Sequence, residues 1–407
     1  MVIGELTETY PPMQDGVGRV CHAYCSALEK MGHRAYYVAP EDPDHSRFEG
    51  LNTVLYKGLQ IPGRSYRLGV PDWSPDFRKE IRRIPFDLLH IHSPFLSARV
   101  ALEIRKENPN IPLIATFHSK YYDDAYKITH SKAISSGIVN MVLSVYNKCD
   151  AVWAVNHETA DVLRAYGYSG PIDIAPNGTD IFEIDYDRAR ETRLRLGIPP
   201  ERPVLLFVGQ LSNKKNIRSV LRAAAVLKRE GFDFTLLLAG EGPDQISLEK
   251  LAVDLEIQDR TIFVGFVRSG EELRSLYTLA DLFVFPSLYD NAPLVVREAA
   301  ANGTPSVLVR GSCSSEGISD GVNGFLCEDS PEDIARVIRE SLPLAKQVGE
   351  TARKTIPTPW SDIMGDVIAK YEALIARKKA EAIVDTGLSR KARSGKSYSA
   401  AKSGRVR

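Results

Sequence analysis

Short runs of consecutive apolar residues alternate, through the first half of the chain, with segments in which apolar positions recur every three or four residues. The runs are typical of strands buried on both faces, and the wider spacing is typical of amphipathic helices. Strands are predicted at residues 2–6, 35–39, 88–92, 113–118, 152–156 and 172–175. Helices are predicted at residues 17–30, 96–108, 133–148 and 158–165, whereas residues 41–75 are less regular. This alternation predicts a parallel sheet covered by helices on both faces.

A second series of the same kind follows in the other half of the chain. Strands are predicted at residues 204–208, 234–239, 262–266, 282–285 and 306–309. Helices are predicted at residues 216–229, 247–255, 271–278 and 294–302, with a last helix at about 361–379. The predicted fold class is therefore α/β, with two facing Rossmann-like, doubly wound parallel-sheet domains. Because open sheets bind ligands outside the carboxyl ends of their strands, we expect the active site in a deep cleft between these domains.

Proline and glycine place the boundary between the two domains near Ala175-Pro-Asn-Gly-Thr-Asp180. We expect a first domain over residues 1–178 and a second over residues 179–358. A helix over residues 359–379 is expected to pack back on the first domain. Residues 380–407 are rich in Ser, Gly, Lys and Arg, so a basic, disordered tail is expected there.

The composition narrows the class of protein without identifying it. The 407 residues carry 52 Lys and Arg against 52 Asp and Glu, and this balance gives no bias toward nucleic acid as a partner. The amino terminus lacks a signal-like core, and no apolar run reaches the length of a membrane span. The five cysteines form no Cys-x-x-Cys pair, so reduced thiols and a cytoplasmic location are expected.

The strongest functional signal lies where a predicted strand leads through a polar loop into the helix at 294–302. The free N–H groups of Leu294 and Val295 in the first helical turn can receive a phosphate, helped by a helix dipole worth about 0.3–1 kcal/mol. Asp290 and Glu298 bracket that turn, one in the loop and one in the helix. Both carboxylates can therefore accept hydrogen bonds from the hydroxyl groups of a sugar.

Two other turns can approach an anion. Gly16 and Gly18 follow the first predicted strand and let the backbone come close to a bulky anion, although a pair needed only for the turn is the open alternative. Lys214 and Lys215 follow the first strand of the second series, where charge-assisted hydrogen bonds to a diphosphate are worth roughly 1.5–3 kcal/mol. Exposed lysines are common by themselves. Together with the turn before residue 294, a phosphate role for one of them is the favoured interpretation.

Three histidines lie at or near the carboxyl ends of predicted strands, where the cleft is expected. His118 leads into a loop of hydrogen-bonding side chains and is best placed to touch a substrate. His90 is interpreted as structural, and for His92 the structural and functional interpretations stay equally open. Two Asp-x-Asp pairs, at 42–44 and 185–187, lie in charged loops rather than at the ends of buried strands. No metal site and no cofactor are therefore predicted.

Nearly all of residues 1–376 resemble the retaining glycosyltransferases of family 4, which have the GT-B architecture of two facing Rossmann-like domains. The order and spacing of short motifs carry this resemblance, at residues 12–18, 31–33, 87–94, 175–180, 207–216, 239–243, 280–287, 290–298 and 320–325. The resemblance implies an acceptor-side first domain and a second domain that binds a nucleotide sugar. The expected reaction moves a hexose from a nucleotide sugar to a hydroxyl acceptor. The expected donor is a UDP-hexose.

The resemblance also implies roles for single residues. His118 and Asp290 would be catalytic, with His118 beside the transferred sugar and Asp290 holding its hydroxyls. Glu298 would bind the donor ribose, Lys215 would face the diphosphate, and the backbone at 266–267 would hold the base. The implied donor-binding residues are Gly16, Gln210, Lys215, Phe266, Val267, Asp290, Asn291, Leu294, Val295 and Glu298. In a retaining transfer of this type the leaving diphosphate takes the acceptor proton, so catalysis consists mainly of positioning and charge stabilisation, without a metal.

The chain departs from the family pattern at two of these positions. Asp290 stands where the family has glutamate, and this shorter arm can change the sugar preference or the contact distance. Gln210 stands where an arginine is common, so one positive charge on the phosphates is missing. Lys214 or Arg19 is expected to compensate for it.

Residues 115–124 and 311–318 look like the branch of the family that glycosylates diacylglycerol or related lipids. A lipid acceptor is therefore expected, with an anionic membrane surface as partner and a peripheral location on the inner face of the membrane. The basic tail and four cations on a short first-domain helix would bind that surface, namely Arg78, Lys79, Arg82 and Arg83. A soluble surface helix and a tail that only aids solubility are the equally open alternative. The open alternatives are a soluble transferase that extends a glycan with a UDP- or GDP-sugar, a GT-B sugar-nucleotide epimerase, and a non-catalytic sugar-nucleotide sensor.

Overall fold

The computed structural model describes residues 1–10, 16–41, 51–60 and 67–400, with side chains described as far as residue 384. The pair 42–44 therefore lies outside the described residues. In chain order the first half contains β1 (Val2–Leu6), α1 (Gly16–Lys30), β2 (Arg34–Pro40), β3 (Asn52–Tyr56), β4 (Gly58–Gln60), β5 (Arg67–Gly69), α2 (Pro75–Ile81), β6 (Leu88–Ile91), α3 (Leu96–Glu107), β7 (Leu113–Phe117), α4 (Tyr121–Thr129), α5 (Lys132–Tyr146), β8 (Ala151–Ala154), α6 (His157–Ala165) and β9 (Asp173–Ile174). The second half contains α7 (Tyr186–Arg195), β10 (Val204–Val208), α8 (Ile217–Arg229), β11 (Thr235–Ala239), α9 (Gln245–Asp254), β12 (Thr261–Gly265), α10 (Gly270–Leu279), β13 (Leu282–Val284), α11 (Leu294–Ala301), β14 (Ser306–Val309), β15 (Phe325–Cys327), α12 (Pro331–Ser341), α13 (Ala345–Thr355) and α14 (Trp360–Ala400).

Seven strands of the first half form one sheet in the order β3-β2-β1-β6-β7-β8-β9. Neighbouring strands in it pair in parallel, and Ile3 of β1 lies between Ala35 of β2 and Leu88 of β6. The predicted α/β class is therefore confirmed. Strands of such a parallel sheet are covered by helices on both faces, which is why they appear in the sequence as continuous apolar runs. The edge strand β3 lies in the less regular region 41–75. Buried and partly buried residues alternate along much of it, and it begins with the polar residues Asn52 and Thr53, so it carries no long apolar run.

Six strands of the second half form a parallel sheet in the order β12-β11-β10-β13-β14-β15. Here the pattern missed the short strand β15 and the helices α7, α12 and α13. Helix α7 is almost entirely polar, so it has no apolar periodicity to detect. Polar contacts hold it instead. The N-cap residue Asp185 accepts a hydrogen bond of 2.9 Å at Oδ1 from the backbone N–H of Arg188, and Thr192 Oγ1 lies 2.9 Å from Ser275 Oγ of α10.

Helix α14 extends into the segment that was expected to be a disordered tail. The structure has helix through Ala400, beyond the expected end at residue 379. Alanine, lysine, arginine and glutamate are all good helix formers, and Lys378 pairs with Glu381 one turn on, so nothing in the sequence stops the helix at 379. Its first turns pack on the first domain, where buried Met364 and Tyr371 join the core beside α1.

Glycines let the loops that follow β10 and β11 approach each other closely. Gly240 has a φ of 136°, and a Cβ added to it would lie 2.0 Å from the carbonyl oxygen of Gly209. No other residue fits there without moving the backbone. The close contact keeps the two strand ends together at the edge of the sheet that faces the first domain.

Candidate active site

A cavity of about 560 Å³ lies where strands of both sheets end. Residues that directly follow β7, β10 and β12 line it, among them His118, Gly209 and Phe266. The predicted site residues that line this cleft are Gly16, His118, Gln210, Lys215, Phe266, Val267, Asp290, Asn291, Leu294 and Val295. The fold thus gathers, in one cleft, side chains that lie far apart in the sequence. Glu298 is the predicted site residue that lies outside this lining.

Lys215 and Asp290 form an ion pair on the second-domain wall of the cleft. Ser287 Oγ donates a hydrogen bond of 2.6 Å to the other carboxylate oxygen of Asp290. The turn that carries Lys215 ends at Asn216, whose left-handed φ of 58° lets its side-chain amide donate to the carbonyl of Pro286 at 3.1 Å. Lys215, which was predicted to face the phosphates, is therefore paired with Asp290, which was predicted to hold the sugar hydroxyls.

Both cations suggested to replace the missing arginine at Gln210 already contact carboxylates. Lys214 Nζ lies 2.6 Å from Asp124 Oδ1 of the first domain. Arg19, also of the first domain, forms an ion pair with Glu298. A phosphate at either cation would have to compete with an acid.

The N-terminus of α11 opens into the cleft. Its N-cap residue is Pro293, which has no side-chain hydrogen bond to the helix. The next two residues, Leu294 and Val295, line the cavity. Beyond its other end, Gly303 has the expected left-handed conformation with a φ of 78°. The first-turn N–H groups therefore have no side-chain cap that an incoming anion would need to displace.

Glu298 lies in an adjoining cavity of about 340 Å³, of which Leu294 is a shared wall. One carboxylate oxygen of Glu298 pairs with Arg19, and the other accepts a hydrogen bond of 3.1 Å from the hydroxyl of Tyr277. The negative charge of Glu298 raises the pKa of Arg19. A ribose at Glu298 would compete with Arg19 of the first domain for the carboxylate.

Side-chain amides join the two domains around the loop before α11. Asn291 Nδ2 donates to the carbonyl of His118 at 2.6 Å, and Asn156 Nδ2 donates to the carbonyl of Asn291 at 2.9 Å. Asn177 Nδ2 donates to the carbonyl of Ala292, also at 2.9 Å. The Oδ1 atom of Asn291 is buried and has no hydrogen-bond partner in the described part of the chain. Sequence reasoning missed Asn156 and Asn177, because only the tertiary structure brings them to this loop.

Two buried groups lie behind His118. Its Nε2 atom lies 3.1 Å from His92 Nδ1, and His92 Nε2 lies 2.7 Å from Glu5 Oε2. Burial, and then the proximity of His92 and His90, lower the pKa of His118 well below its usual value, so its ring is neutral. Burial alone would raise the pKa of Glu5, but its contacts with His90 and His92 outweigh burial and lower this pKa to about 2. A lone acid inside the apolar run 2–6 is the sequence signal that could have found Glu5.

Two family models match the chain, one in each half. The model for Glycosyltransferase Family 4 matches residues 14–182, and the model for Glycosyl transferases group 1 matches residues 189–355. The chain belongs to the GT-B glycosyltransferases. The second of these models spans the whole sheet of the second half, and the first spans every strand of the other sheet except β1.

Known relatives and solved structures agree with this assignment. The alpha-monoglucosyldiacylglycerol synthase of Streptococcus pneumoniae is 28% identical to this glycosyltransferase over 357 residues, which cover 86% of the chain and 80% of the relative. A GDP-mannose-dependent alpha-mannosyltransferase of Corynebacterium glutamicum is 26% identical, covering 81% of the chain and 77% of the relative.

The solved structures show the shared fold alone. Sucrose-phosphate synthase from Thermosynechococcus elongatus has a TM-score of 0.78 at 21% identity, covering 92% of this chain and 99% of that one. Anabaena HepE in complex with UDP-glucose has a TM-score of 0.74 at 18% identity, covering 92% of this chain and 100% of that one.

One group in this glycosyltransferase has the atom types of a metal site. In the described part of the chain, Glu5, His90 and His92 bring possible ligand atoms within 4.8 Å of one another. Both ring nitrogens of His90 are already hydrogen-bonded, Nδ1 to the hydroxyl of Tyr371 at 2.6 Å and Nε2 to Thr116 Oγ1 at 2.7 Å. An ion would have to displace these partners. Hydrogen bonds within the protein therefore account for the cluster, and the absence of a metal requirement stays a prediction.

The basic helix expected to bind anionic lipid is largely paired with acids of the glycosyltransferase itself. Its ion pairs are Arg78 with Asp72, Lys79 with Asp76 at 3.8 Å, and Arg82 with Glu107 at 2.6 Å. Such pairing weakens the electrostatic case for membrane binding by this helix. In the described residues, no helix combines the length and the apolar character needed to cross a membrane.

Proposed function

We propose that this glycosyltransferase moves a hexose from UDP-hexose to a hydroxyl group of a membrane lipid, with retention of configuration and without a metal ion. The pair formed by Lys215 and Asp290 beside the N-terminus of α11 carries the proposal. A cation and uncapped N–H groups suit a diphosphate, and a carboxylate beside them suits the hydroxyls of the sugar attached to it.

The donor lies along the second-domain wall of the cleft. Its base contacts the backbone at Phe266 and Val267, and its ribose reaches Glu298 once Arg19 has moved away. The diphosphate then meets the start of α11 and draws Lys215 from its acid. This placement is supported by the residues that line the two adjoining cavities.

Release of Lys215 leaves Asp290 free to hold the sugar. The unpaired Oδ1 atom of Asn291 can accept a hydrogen bond from another hydroxyl of the same sugar. Lys215 and the first turn of α11 stabilise the charge on the departing UDP, and the leaving phosphate takes the proton of the acceptor hydroxyl. The new bond forms on the face from which UDP leaves, so the configuration is retained.

Apolar surface on the first domain supports a lipid acceptor. A cavity of about 800 Å³ beside α3 and α5 is lined largely by apolar side chains, including Leu68, Phe95, Leu96, Leu102, Met141 and Val145. On α4 and α5, Ile128 is 56% exposed and Ile134 is 50% exposed. Exposed apolar patches of this kind mark interaction surfaces. The relatives from Streptococcus pneumoniae and Acholeplasma laidlawii are both named alpha-monoglucosyldiacylglycerol synthase.

The test is transfer of labelled glucose from UDP-glucose to diacylglycerol in vesicles that contain anionic phospholipid. We expect a labelled glycolipid with an α-linkage by NMR, formed equally well in excess EDTA. Lys215→Met measured under the same conditions controls for transfer outside this cleft. A β-linkage would contradict retention, and activity that EDTA abolishes would contradict metal independence.

A soluble transferase that extends a glycan is the second candidate, and the acid-paired cations of α2 favour it. GDP-mannose and soluble oligosaccharides belong in the same assay, because two relatives are named GDP-mannose-dependent alpha-mannosyltransferases. Flotation with anionic liposomes, with and without residues 380–407, separates the candidates. Label on soluble glycans alone, together with no flotation of either protein, would overturn the lipid acceptor.

A further inference from the structure

We propose that Glu5 and His92 are positioning residues that fix the tautomer of His118, so that His118 Nδ1 offers a lone pair to a hydroxyl in the cleft. Whether that hydroxyl belongs to the donor sugar or to the acceptor rests on the proposed function. The tautomer of His118 does not depend on the proposed function.

A line of hydrogen bonds leads from the buried core to the cleft. It begins at the Glu5 carboxylate in β1, crosses the His92 ring just after β6, and ends at His118 just after β7. Glu5 and His92 are fully buried, whereas His118 lines the cavity. Three neighbouring strands, β1, β6 and β7, thus hold the three groups in a row.

Hydrogen-bonding capacity sets the direction of this line. A carboxylate can only accept, so His92 Nε2 donates to Glu5. In the proposed state His92 is neutral, so its Nδ1 carries a lone pair and His118 Nε2 donates to it. His118 Nδ1 is left with the lone pair, and it has no protein partner within the described residues. The acceptor atom of the ring is therefore the one available to a ligand.

The rest of the core holds this line in place. Tyr371 of α14 lies 3.0 Å from Glu5 Oε1, so the last helix of the chain contributes to a network in the first domain. The ring of Tyr24 packs edge-on against His92 with 5.3 Å between centroids. Such supporting groups orient a histidine in the way that the carboxylate of a catalytic triad orients its imidazole.

The tautomer can be read directly by ¹⁵N NMR of the full-length protein with labelled histidine. The His118 signals are assigned by their loss in His118→Gln. We expect a protonated Nε2 and an unprotonated Nδ1 without any substrate. In His92→Phe the Nε2 proton loses its acceptor, and the two tautomers should mix. A proton on Nδ1 in the wild type would overturn the proposal, and so would an unchanged His118 spectrum in His92→Phe.

Kinetics test whether the tautomer matters. His92→Phe should lower kcat at least about tenfold while leaving the Kd for UDP within about twofold, because general acid–base and hydrogen-bonding groups act on the transition state. Thr192→Val is the control, since it removes a buried hydrogen bond to Ser275 Oγ in the second domain, away from this line. It should lower Tm but keep kcat within about twofold. A similar fall in kcat for both variants would reduce Glu5 and His92 to general structural support.

A double variant tests whether Glu5 acts through His92. If it does, adding Glu5→Gln to His92→Phe should lower kcat no further, since linked groups are not additive. An additional fall of the size seen in Glu5→Gln alone would overturn this link. Should no sugar nucleotide be turned over at all, the proposed function fails, yet the NMR result still decides the tautomer.

Discussion

Replacement of Lys215 by methionine separates the phosphate role from general support of the cleft. Methionine keeps the length of the side chain and removes the ammonium group that pairs with Asp290. Lys214→Met is the matched control, because this neighbouring lysine also lines the cleft but pairs with Asp124 of the first domain. Asp290→Asn is the complementary change, which leaves Lys215 without its acid.

The magnitudes follow from the contacts. A charge-assisted hydrogen bond to phosphate is worth roughly 1.5–3 kcal/mol, so Lys215→Met should weaken UDP binding roughly tenfold to 150-fold. Its effect on stability should stay below about 1 kcal/mol, because the pair is partly exposed and Asp290 keeps its bond from Ser287. Asp290→Asn removes a competing and repelling charge, so UDP should bind about threefold to tenfold more tightly. Turnover of the intact donor should nevertheless fall, since the sugar loses its carboxylate.

Isothermal titration calorimetry with UDP measures the affinities, and thermal unfolding monitored by circular dichroism confirms that each variant is folded. Lys214→Met should weaken UDP binding less than Lys215→Met. The reasoning is refuted if folded Lys215→Met binds UDP like the wild type, or if Lys214→Met has the larger effect. Weaker UDP binding by Asp290→Asn would show that the acid supports the phosphate site instead of competing for its cation.

Three further predictions address other parts of the cleft. Gly16→Ala should leave Tm unchanged, because nothing in the described structure lies within 4 Å of the added Cβ. Any loss of UDP affinity then reports close approach of the ligand at this residue, and unchanged affinity would remove Gly16 from the donor site. Glu298→Ala should weaken binding of UDP roughly tenfold but leave that of 2′,3′-dideoxy-UDP unchanged, and an equal loss for both would place its carboxylate away from the ribose. Burial, and then a hydrogen bond with Glu158, raise the pKa of Glu316 from 4.5 to about 7. The folded protein therefore holds this proton more tightly than the unfolded chain does, and stability should fall as pH rises from 4.5 to about 7. Glu316→Gln should flatten this dependence of Tm on pH, whereas Glu332→Gln, at an exposed position, should keep the wild-type slope.

Local patterns were enough to predict most of the two sheets. A strand such as Val204–Val208 is apolar throughout, and its burial on both faces requires helices on both sides, so the run itself implies the architecture. The start of α11 and the left-handed Gly303 were predictable in the same way, because turns and helix ends depend on residues close in sequence. Patterns failed at α7, whose stability comes from polar contacts with α10.

The sequence by itself determined which residue types stand at strand ends: Lys215 after β10, Asp290 after β13 and His118 after β7. Only the tertiary structure decided what each of them contacts. It pairs Lys215 with Asp290 from 75 positions away, and it places His92 and Glu5 behind His118. Parallel sheets cause this difference, because they gather the carboxyl ends of strands that are distant in the chain, and no local pattern records which of those ends become neighbours.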